Sequence, residues 1–231
     1  SWSFKLRFEG DLNSVLPDVE SVISAGKELR ESKKLHELMT IVLAIINYLN
    51  AKSNKKNAYG FKISTLLKLQ DMKTADGKSN LLNYLITYLN ENKPEISEFT
   101  KELPSLVTAK RVNLQSTKET VTSFVTALRQ TKQVLDKYRI SNLDPNDKYI
   151  AVMEQFYEDA NTTIQSLQAK YDSALKELEQ VAELFGEDKK TINTEFYVTL
   201  SNFTNMFDMA KIKLAEQAER EAKLKKSSTK T

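Results

Sequence analysis

Apolar residues recur every three or four positions along most of this chain, which is the spacing of amphipathic helices. From Pro17 to Leu29 they fit one helical face, so we predict an amphipathic helix there. From Leu35 to Leu49 they occupy nearly all sides, which is typical of a helix surrounded by other helices. The first eleven residues alternate charged with apolar side chains and are predicted to belong to a helix already under way.

The next part of the chain is interrupted by polar residues. Residues 51–60 are polar and end in glycine, so we predict a loop. A short helix is predicted from Ser64 to Gln70, and another from Asn80 to Asn92, before Pro94.

Two longer segments carry seven-residue repeats of apolar residues, which indicate long helices. In the first segment the companion positions are mixed, because Lys110, Thr117 and Thr131 interrupt them. Its apolar residues are Val107, Leu114, Val121, Leu128 and Leu135, with Phe124 and Tyr138 at companion positions. The second repeat is more regular and is a strong coiled-coil signal: Ile150, Tyr157, Ile164, Tyr171, Leu178 and Phe185 alternate with Met153, Ala160, Leu167, Ala174 and Val181.

Residues 141–147, SNLDPND, lie between these segments and have the composition of a turn, in which Asp147 can cap the second helix. Two helices of about 45 Å each would therefore fold back antiparallel. A last helix is predicted from Thr194, with its apolar face followed by a polar tail, residues 216–231, that frays into disorder. That face carries Phe196, Leu200, Phe203, Phe207 and Leu214. No repeat or linker divides residues 1–231, so we predict one domain of all-α class, an elongated helical bundle with a long antiparallel coiled-coil helix pair.

Composition supports this fold and argues against enzymatic chemistry. The chain has only 5 glycines and 4 prolines, which leaves long stretches for helix, and no cysteine, which excludes disulfides and thiolate metal sites. The lone His36 has no glycine-rich phosphate loop or catalytic partners, so we predict no enzyme, no cofactor and no metal. The turn at 144–147 lacks the glycine and glutamate of a calcium loop. The longest apolar run, residues 39–49, is about half a membrane span, and we expect an intracellular protein with no membrane partner.

Charge is concentrated in one stretch, residues 52–78, which carries seven lysines against two aspartates although the whole chain is only +3. Such a local positive field attracts an acidic partner, but lysines also simply keep loops soluble. The stretch has no arginine and the overall charge is small, so nucleic acid is not the predicted partner. The adjoining turn Tyr59-Gly60-Phe61 favours protein recognition, because exposed aromatic side chains can anchor a partner.

The lysine-rich stretch also carries a family resemblance. Residues 46–85, INYLNAKSNKKNAYGFKISTLLKLQDMKTADGKSNLLNYL, resemble the signature region of the formin homology 2 domain. That region typically has Gly-Asn-Tyr-Met-Asn, a polar loop, Gly-Phe-Lys-Leu, a leucine-rich helix and then an Asp-Thr-Lys-Ser segment. Upstream, FKLRFEGDLNSVLPD is similar to the pattern that precedes this signature. Downstream, ELPSLVTAKRVN, the long helix pair and EFYVTLSNFTNMF are most similar to the diaphanous type.

The resemblance implies an actin-binding domain that nucleates filaments and moves with growing barbed ends as a ring of two subunits. It implies post-forming helices at 1–104, the long helix pair at 105–190, and a closing helix with a basic tail at 191–231. It assigns actin contact to Lys62 and, less directly, to Lys68 and Lys73. It assigns the surface that receives the lasso, an N-terminal segment of the other subunit, to Asn47, Tyr48, Asn50, Gly60 and Phe61. The implied location is the cytoplasmic actin cytoskeleton.

Two departures from the family pattern qualify these implications. Ile46 and Lys52 stand where the family has glycines, which predicts weaker or altered lasso docking. The lasso, the linker and most of the knob would lie upstream of residue 1, so we expect this fragment to be monomeric, or a non-ring oligomer, and a poor nucleator. The alternative is a coiled-coil scaffold or tether without actin activity, whose lysines only solvate the loop.

Overall fold

A computed structural model describes residues 1–52, 58–74, 76–141, 147–187 and 194–228. All its regular elements within these ranges are helical, which confirms the all-α prediction. The helices are α1 Trp2–Glu31, α2 Lys33–Lys52, α3 Thr65–Lys68, α4 Leu81–Asn92, a 3₁₀ helix Ile96–Glu102, α5 Leu106–Ala109, α6 Leu114–Ser141, α7 Tyr149–Leu184 and α8 Glu195–Ser228.

Helix α1 is a single 30-residue helix that runs through Pro17, whereas the sequence suggested a new helix beginning at that proline. Pro17 lies on the exposed side, and the buried stripe continues across it from Phe4 to Leu29. The helix ends at Glu31. The hydroxyl oxygen of the next residue, Ser32, accepts a hydrogen bond from the Leu35 N–H at 3.1 Å and so caps the start of α2. Helices α1 and α2 are therefore separated by one residue.

Helix α7 packs against both α1 and α6. Its direction is parallel to α1, since Phe156 contacts Phe4 and Glu177 contacts Arg30. It is antiparallel to α6, since the Tyr149 ring contacts that of Tyr138 near the ends that face the turn, while at the opposite ends the Tyr171 hydroxyl donates to the carbonyl of Leu114. The apolar stripe of α7 is thus shared between two neighbours, and the predicted helix pair lies within a three-helix packing.

The start of the first heptad repeat was predicted wrongly. Val107 belongs to the short helix α5 and is half exposed, and α6 begins only at Leu114. The interrupting residues Thr117 and Thr131 are nevertheless buried, because their hydroxyls donate to backbone carbonyls one turn earlier. Asp147 lies one residue before the N-cap position, Lys148, and its carboxylate accepts the N–H of Tyr149, the first residue of α7. Most of the predicted turn, residues 142–146, lies outside the described residues.

The other half of the molecule is built around α8. Phe203 and Phe207 are fully buried and pack with Phe99 of the 3₁₀ helix. The aromatic residue buried at the start of α8 is Tyr197, while Phe196 is only partly buried. From Ala215 to Lys225 the side chains of α8 are exposed, as predicted, and the backbone remains helical to Ser228 instead of fraying earlier. Helices α3 and α4 pack against α8, which places the lysine-rich segment on this half.

Candidate protein-binding site

The turn before α3 is held by Asn47 of α2. The Asn47 side-chain amide donates to the carbonyl of Ala58 at 2.9 Å, and its oxygen accepts the Ala58 N–H at 2.7 Å. These two bonds join residues on either side of the segment 53–57, which lies outside the described residues. The chain then continues through Tyr59 and Gly60 to Phe61, which packs partly buried against the core.

The segment from residue 62 to residue 69 forms hydrogen bonds between residues three apart, such as Thr65 N–H to the Lys62 carbonyl at 2.8 Å. Ile63, Leu66 and Leu69 are buried and attach this segment, with the short α-helix α3, to the core. Lys62, which precedes α3, and Lys68, its last residue, are both exposed.

Lys73 lies in a short hairpin, where it pairs with Asn80 through an isolated bridge. Gly77 at the tip has φ 67°, a conformation that suits glycine. The Thr74 hydroxyl and the Lys78 N–H hold the pKa of the Asp76 carboxyl below its ordinary value, because both bonds favour the charged form. Asn80 also caps α4 by accepting the Asn83 N–H at 2.8 Å, so the hairpin is tied to a helix.

The four described lysines of this segment have no carboxylate partner among the described residues. Lys62, Lys68, Lys73 and Lys78 are all exposed, and none forms an ion pair with another residue in the part of the chain that the structure describes. Several lysines elsewhere do form such pairs, for example with Glu20, Glu37, Glu98 and Glu102. The ammonium groups of the segment therefore keep their positive field available to a partner. The side chains of Lys52, Lys55 and Lys56 lie outside the described residues.

A groove of about 750 Å³ lies beside the hairpin, between α2, α4 and α8. Its walls are mainly apolar and aromatic, with Ile45 and Tyr48 from α2, Tyr84 and Tyr88 from α4, and Leu214 from α8. The hairpin residues Thr74, Asp76 and Ser79 form a polar rim. Such a surface suits the insertion of apolar side chains from another polypeptide.

The structure divides the five residues that the resemblance assigned to the subunit interface. Tyr48 lines the groove and is mostly exposed, whereas the Asn47 side chain is hydrogen-bonded to the backbone of Ala58. Asn50 is partly buried, Gly60 is exposed, and Phe61 packs against the core, and none of these three lines the groove.

Ile46, which stands in place of a family glycine, packs partly buried against the core and does not line the groove. Its side chain therefore does not occupy the groove itself. For Lys52, the second departure, only the backbone is described.

Three aromatic residues of this region were missing from the sequence-based set of site residues. Tyr84 and Tyr88 lie four residues apart, which places them on the same side of a helix. This spacing could have identified them as neighbouring site residues from the sequence alone. Tyr59 was noted only as part of a turn, and the structure shows that its side chain is fully exposed.

Other kinds of site find little support in the described residues. His36 Nε2 lies 3.0 Å from the carbonyl oxygen of Leu29, at the junction of α1 and α2. This contact gives the imidazole ring a structural role that requires no catalytic chemistry. Among the described ranges, no three metal-ligating side chains cluster together. No helix within these ranges combines the length and the apolar character that crossing a membrane requires.

Comparison with known proteins gives consistent matches over nearly the whole chain. The family model described as Formin Homology 2 Domain matches residues 1–208. Protein diaphanous homolog 3 of Homo sapiens is 30% identical over 226 residues, which cover 96% of this chain and 19% of that protein. Formin-F of Dictyostelium discoideum is 31% identical over 208 residues, which cover 90% of this chain and 17% of that protein. Disheveled-associated activator of morphogenesis 1-A of Xenopus laevis is 32% identical over 210 residues, which cover 90% of this chain and 19% of that protein. The chain thus spans about a fifth of the length of these relatives.

Proposed function

Because this chain belongs to the formin homology 2 family, we propose that it is an actin-binding module of a formin that nucleates and processively elongates unbranched filaments at barbed ends. The observation that carries the proposal is that Lys62, just before α3, and Lys68, within α3, are both exposed and have no carboxylate partner among the described residues. An acidic protein surface is the natural partner of such a pair. Lys73 in the adjacent hairpin extends the positive surface. The protein acts in the cytoplasm, on the actin cytoskeleton.

Formin homology 2 proteins are actin regulators, so the prediction that this chain is not an enzyme is confirmed by its family. In an intact domain, the second formin subunit contacts the surface that includes Asn47, Tyr48, Asn50, Gly60 and Phe61. The groove belongs to this proposed interface, because Tyr48 lines it and its walls are apolar. The subunit contact and the lysine pair then occupy neighbouring parts of one half of the molecule.

The 231 residues on their own are expected to be monomeric, or to form an oligomer other than a ring, and to nucleate actin poorly. The resemblance assigns ring assembly to a contact between this surface and the lasso segment of a second subunit. Sedimentation equilibrium and pyrene-actin assembly measure these two properties. A stable ring-like dimer, or nucleation as strong as that of an intact domain, would contradict this expectation.

Lys62→Asp is expected to weaken cosedimentation with actin filaments by about tenfold, and Lys68→Asp by a comparable or smaller factor, since each reverses a charge facing an acidic surface. Raising the salt concentration should weaken wild-type binding and reduce the difference between wild type and variants, because exposed charges are screened.

Lys148→Asp is the matched control, with the same charge change at an exposed lysine. Lys148 lies just before the first residue of α7, a helix of 36 residues. The segment with Lys62 lies at the opposite end of this helix, because the Glu187 side chain beyond that end accepts the Ile63 N–H. The control therefore lies roughly 50 Å from the lysine pair. Equal binding of all variants would contradict the lysine assignment, and absence of wild-type binding would favour the scaffold alternative.

A further inference from the structure

Tyr59 is the most exposed large apolar side chain among the described residues, with a relative exposure of 103%. The residue after it, Gly60, is also open: a Cβ added there would meet no heavy atom within 4 Å. Phe61 lies on the other side of this glycine and packs partly buried against the core. The two aromatic residues of the turn therefore have different roles, since Phe61 attaches the turn to the protein and Tyr59 faces outward.

Tyr59 is also held in place on both sides. Immediately before it, the two hydrogen bonds from the Asn47 amide fix the backbone of Ala58. Shortly after it, Phe61 and the buried Ile63 attach the chain to the core. A single exposed aromatic residue is ordinary on a protein surface. An exposed tyrosine on a fixed backbone is different, because little backbone entropy remains to be lost when a partner binds, so only the side chain must be ordered.

The charge beside Tyr59 indicates the chemistry of the partner. Lys62 follows three residues later, within about 11 Å even for extended chain, and is exposed. A partner that contacts both side chains needs an apolar recess bordered by carboxylates. The α2–α4 groove is a separate surface, because neither Tyr59 nor Lys62 lines it.

We propose that Tyr59 is the apolar anchor of the actin contact, inserted into an acid-bordered recess of actin while Lys62 pairs with the border. Asn47 is a positioning residue that acts through Ala58 to present Tyr59, and it does not itself touch actin. This inference rests on the proposed actin-binding function and assigns to it a residue, Tyr59, that charge alone does not identify.

Tyr59→Ala is expected to weaken cosedimentation with actin filaments about tenfold or more, as truncation of a buried interface tyrosine does. Its melting temperature should equal that of wild type, because the side chain packs against nothing in the described chain. The salt dependence of binding should be unchanged, because no charge is removed. Tyr59→Phe should bind like wild type, since the ring supplies the contact. Ile140→Ala removes an 85% exposed apolar side chain from the far end of α6 and should leave binding unchanged.

Asn47→Leu tests the positioning role. It should increase amide hydrogen exchange at Ala58 and weaken binding several-fold, while Asn47→Asp, which can still accept from the Ala58 N–H, should have an intermediate effect. The decisive comparison is the double variant with Tyr59→Ala, in which Asn47→Leu should cause no further loss. A general structural defect would weaken binding equally in both backgrounds.

Each outcome separates this inference from the proposed function. If Lys62→Asp weakens binding and Tyr59→Ala does not, the anchor is wrong and actin binding through the lysines stands. If both substitutions leave binding intact, both contact assignments are wrong. If the wild-type chain does not bind actin filaments at all, the proposed function is overturned together with the anchor.

Discussion

Replacing Phe203 with alanine is expected to lower the free energy of unfolding by about 3–5 kcal/mol, the usual cost of truncating a buried phenylalanine. Phe203 is 0% exposed, and its ring centroid lies 5.9 Å from that of Phe99 and 6.1 Å from that of Phe207. The cavity would open where α8 meets the 3₁₀ helix, so neighbouring side chains can collapse only partly into it. Urea denaturation followed by circular dichroism measures the loss.

Met209→Ala on the same helix is the matched control, since Met209 is 68% exposed. Its effect should stay within about 0.5 kcal/mol, as for most surface substitutions. Similar losses in the two variants would show that α8 is not packed as described. Because α3 and α4 pack on α8, Phe203→Ala should also weaken actin binding indirectly, and binding must be measured well below its melting temperature.

Replacing Gly26 with alanine is expected to destabilise the protein by about 1–2 kcal/mol, because the cost of overpacking exceeds the gain in helix propensity. An added Cβ would lie 2.9 Å from the Glu177 Cβ and 3.2 Å from the Tyr197 hydroxyl oxygen. Neither neighbour moves easily. Arg30 holds the Glu177 carboxylate at 3.0 Å, and the Tyr197 hydroxyl donates to the Val22 carbonyl at 3.1 Å. Burial raises the pKa of Tyr197, so this donor remains protonated.

Gly10→Ala is the control in the same helix, because a Cβ there meets nothing within 4 Å. It should stabilise the protein by about 0.5–1 kcal/mol through helix propensity alone. Thermal or urea unfolding of the two variants should therefore shift in opposite directions. A shift in the same direction for both would contradict the close packing of α1 against α7 at Gly26.

Several elements could be predicted because their determinants are local. Asn80 followed by a three-to-four-residue apolar repeat predicted α4, and the structure has that helix with Asn80 as its cap. The regular repeat from Ile150 to Phe185 likewise predicted α7. Errors arose where local signals were outweighed: Pro17 lies inside α1, because the packing of its buried face outweighs one missing hydrogen bond. Val107 fitted a heptad by spacing but lies in a separate short helix.

In the candidate site, too, some features could be predicted from the sequence and others depend on the tertiary structure. The concentration of lysines is a property of the sequence, and so is the turn Tyr59-Gly60-Phe61. The difference between the exposed Tyr59 and the packed Phe61 is not, since both are aromatic and adjacent to the same glycine. The bonds between Asn47 and Ala58 could not be predicted either, because they join residues eleven positions apart across a polar loop.

The sequence by itself determined the helical class, the long α7 and the positive charge of residues 52–78, because periodicity, capping and composition act over a few neighbouring residues. Only the tertiary structure decided that α7 is shared between α1 and α6, that Gly26 must accommodate Glu177, and that Tyr48 faces a groove completed by Leu214. The physical reason is that burial and close contact depend on which distant helix faces a residue. That choice minimises the free energy of the whole packed chain and is not contained in any short stretch of it.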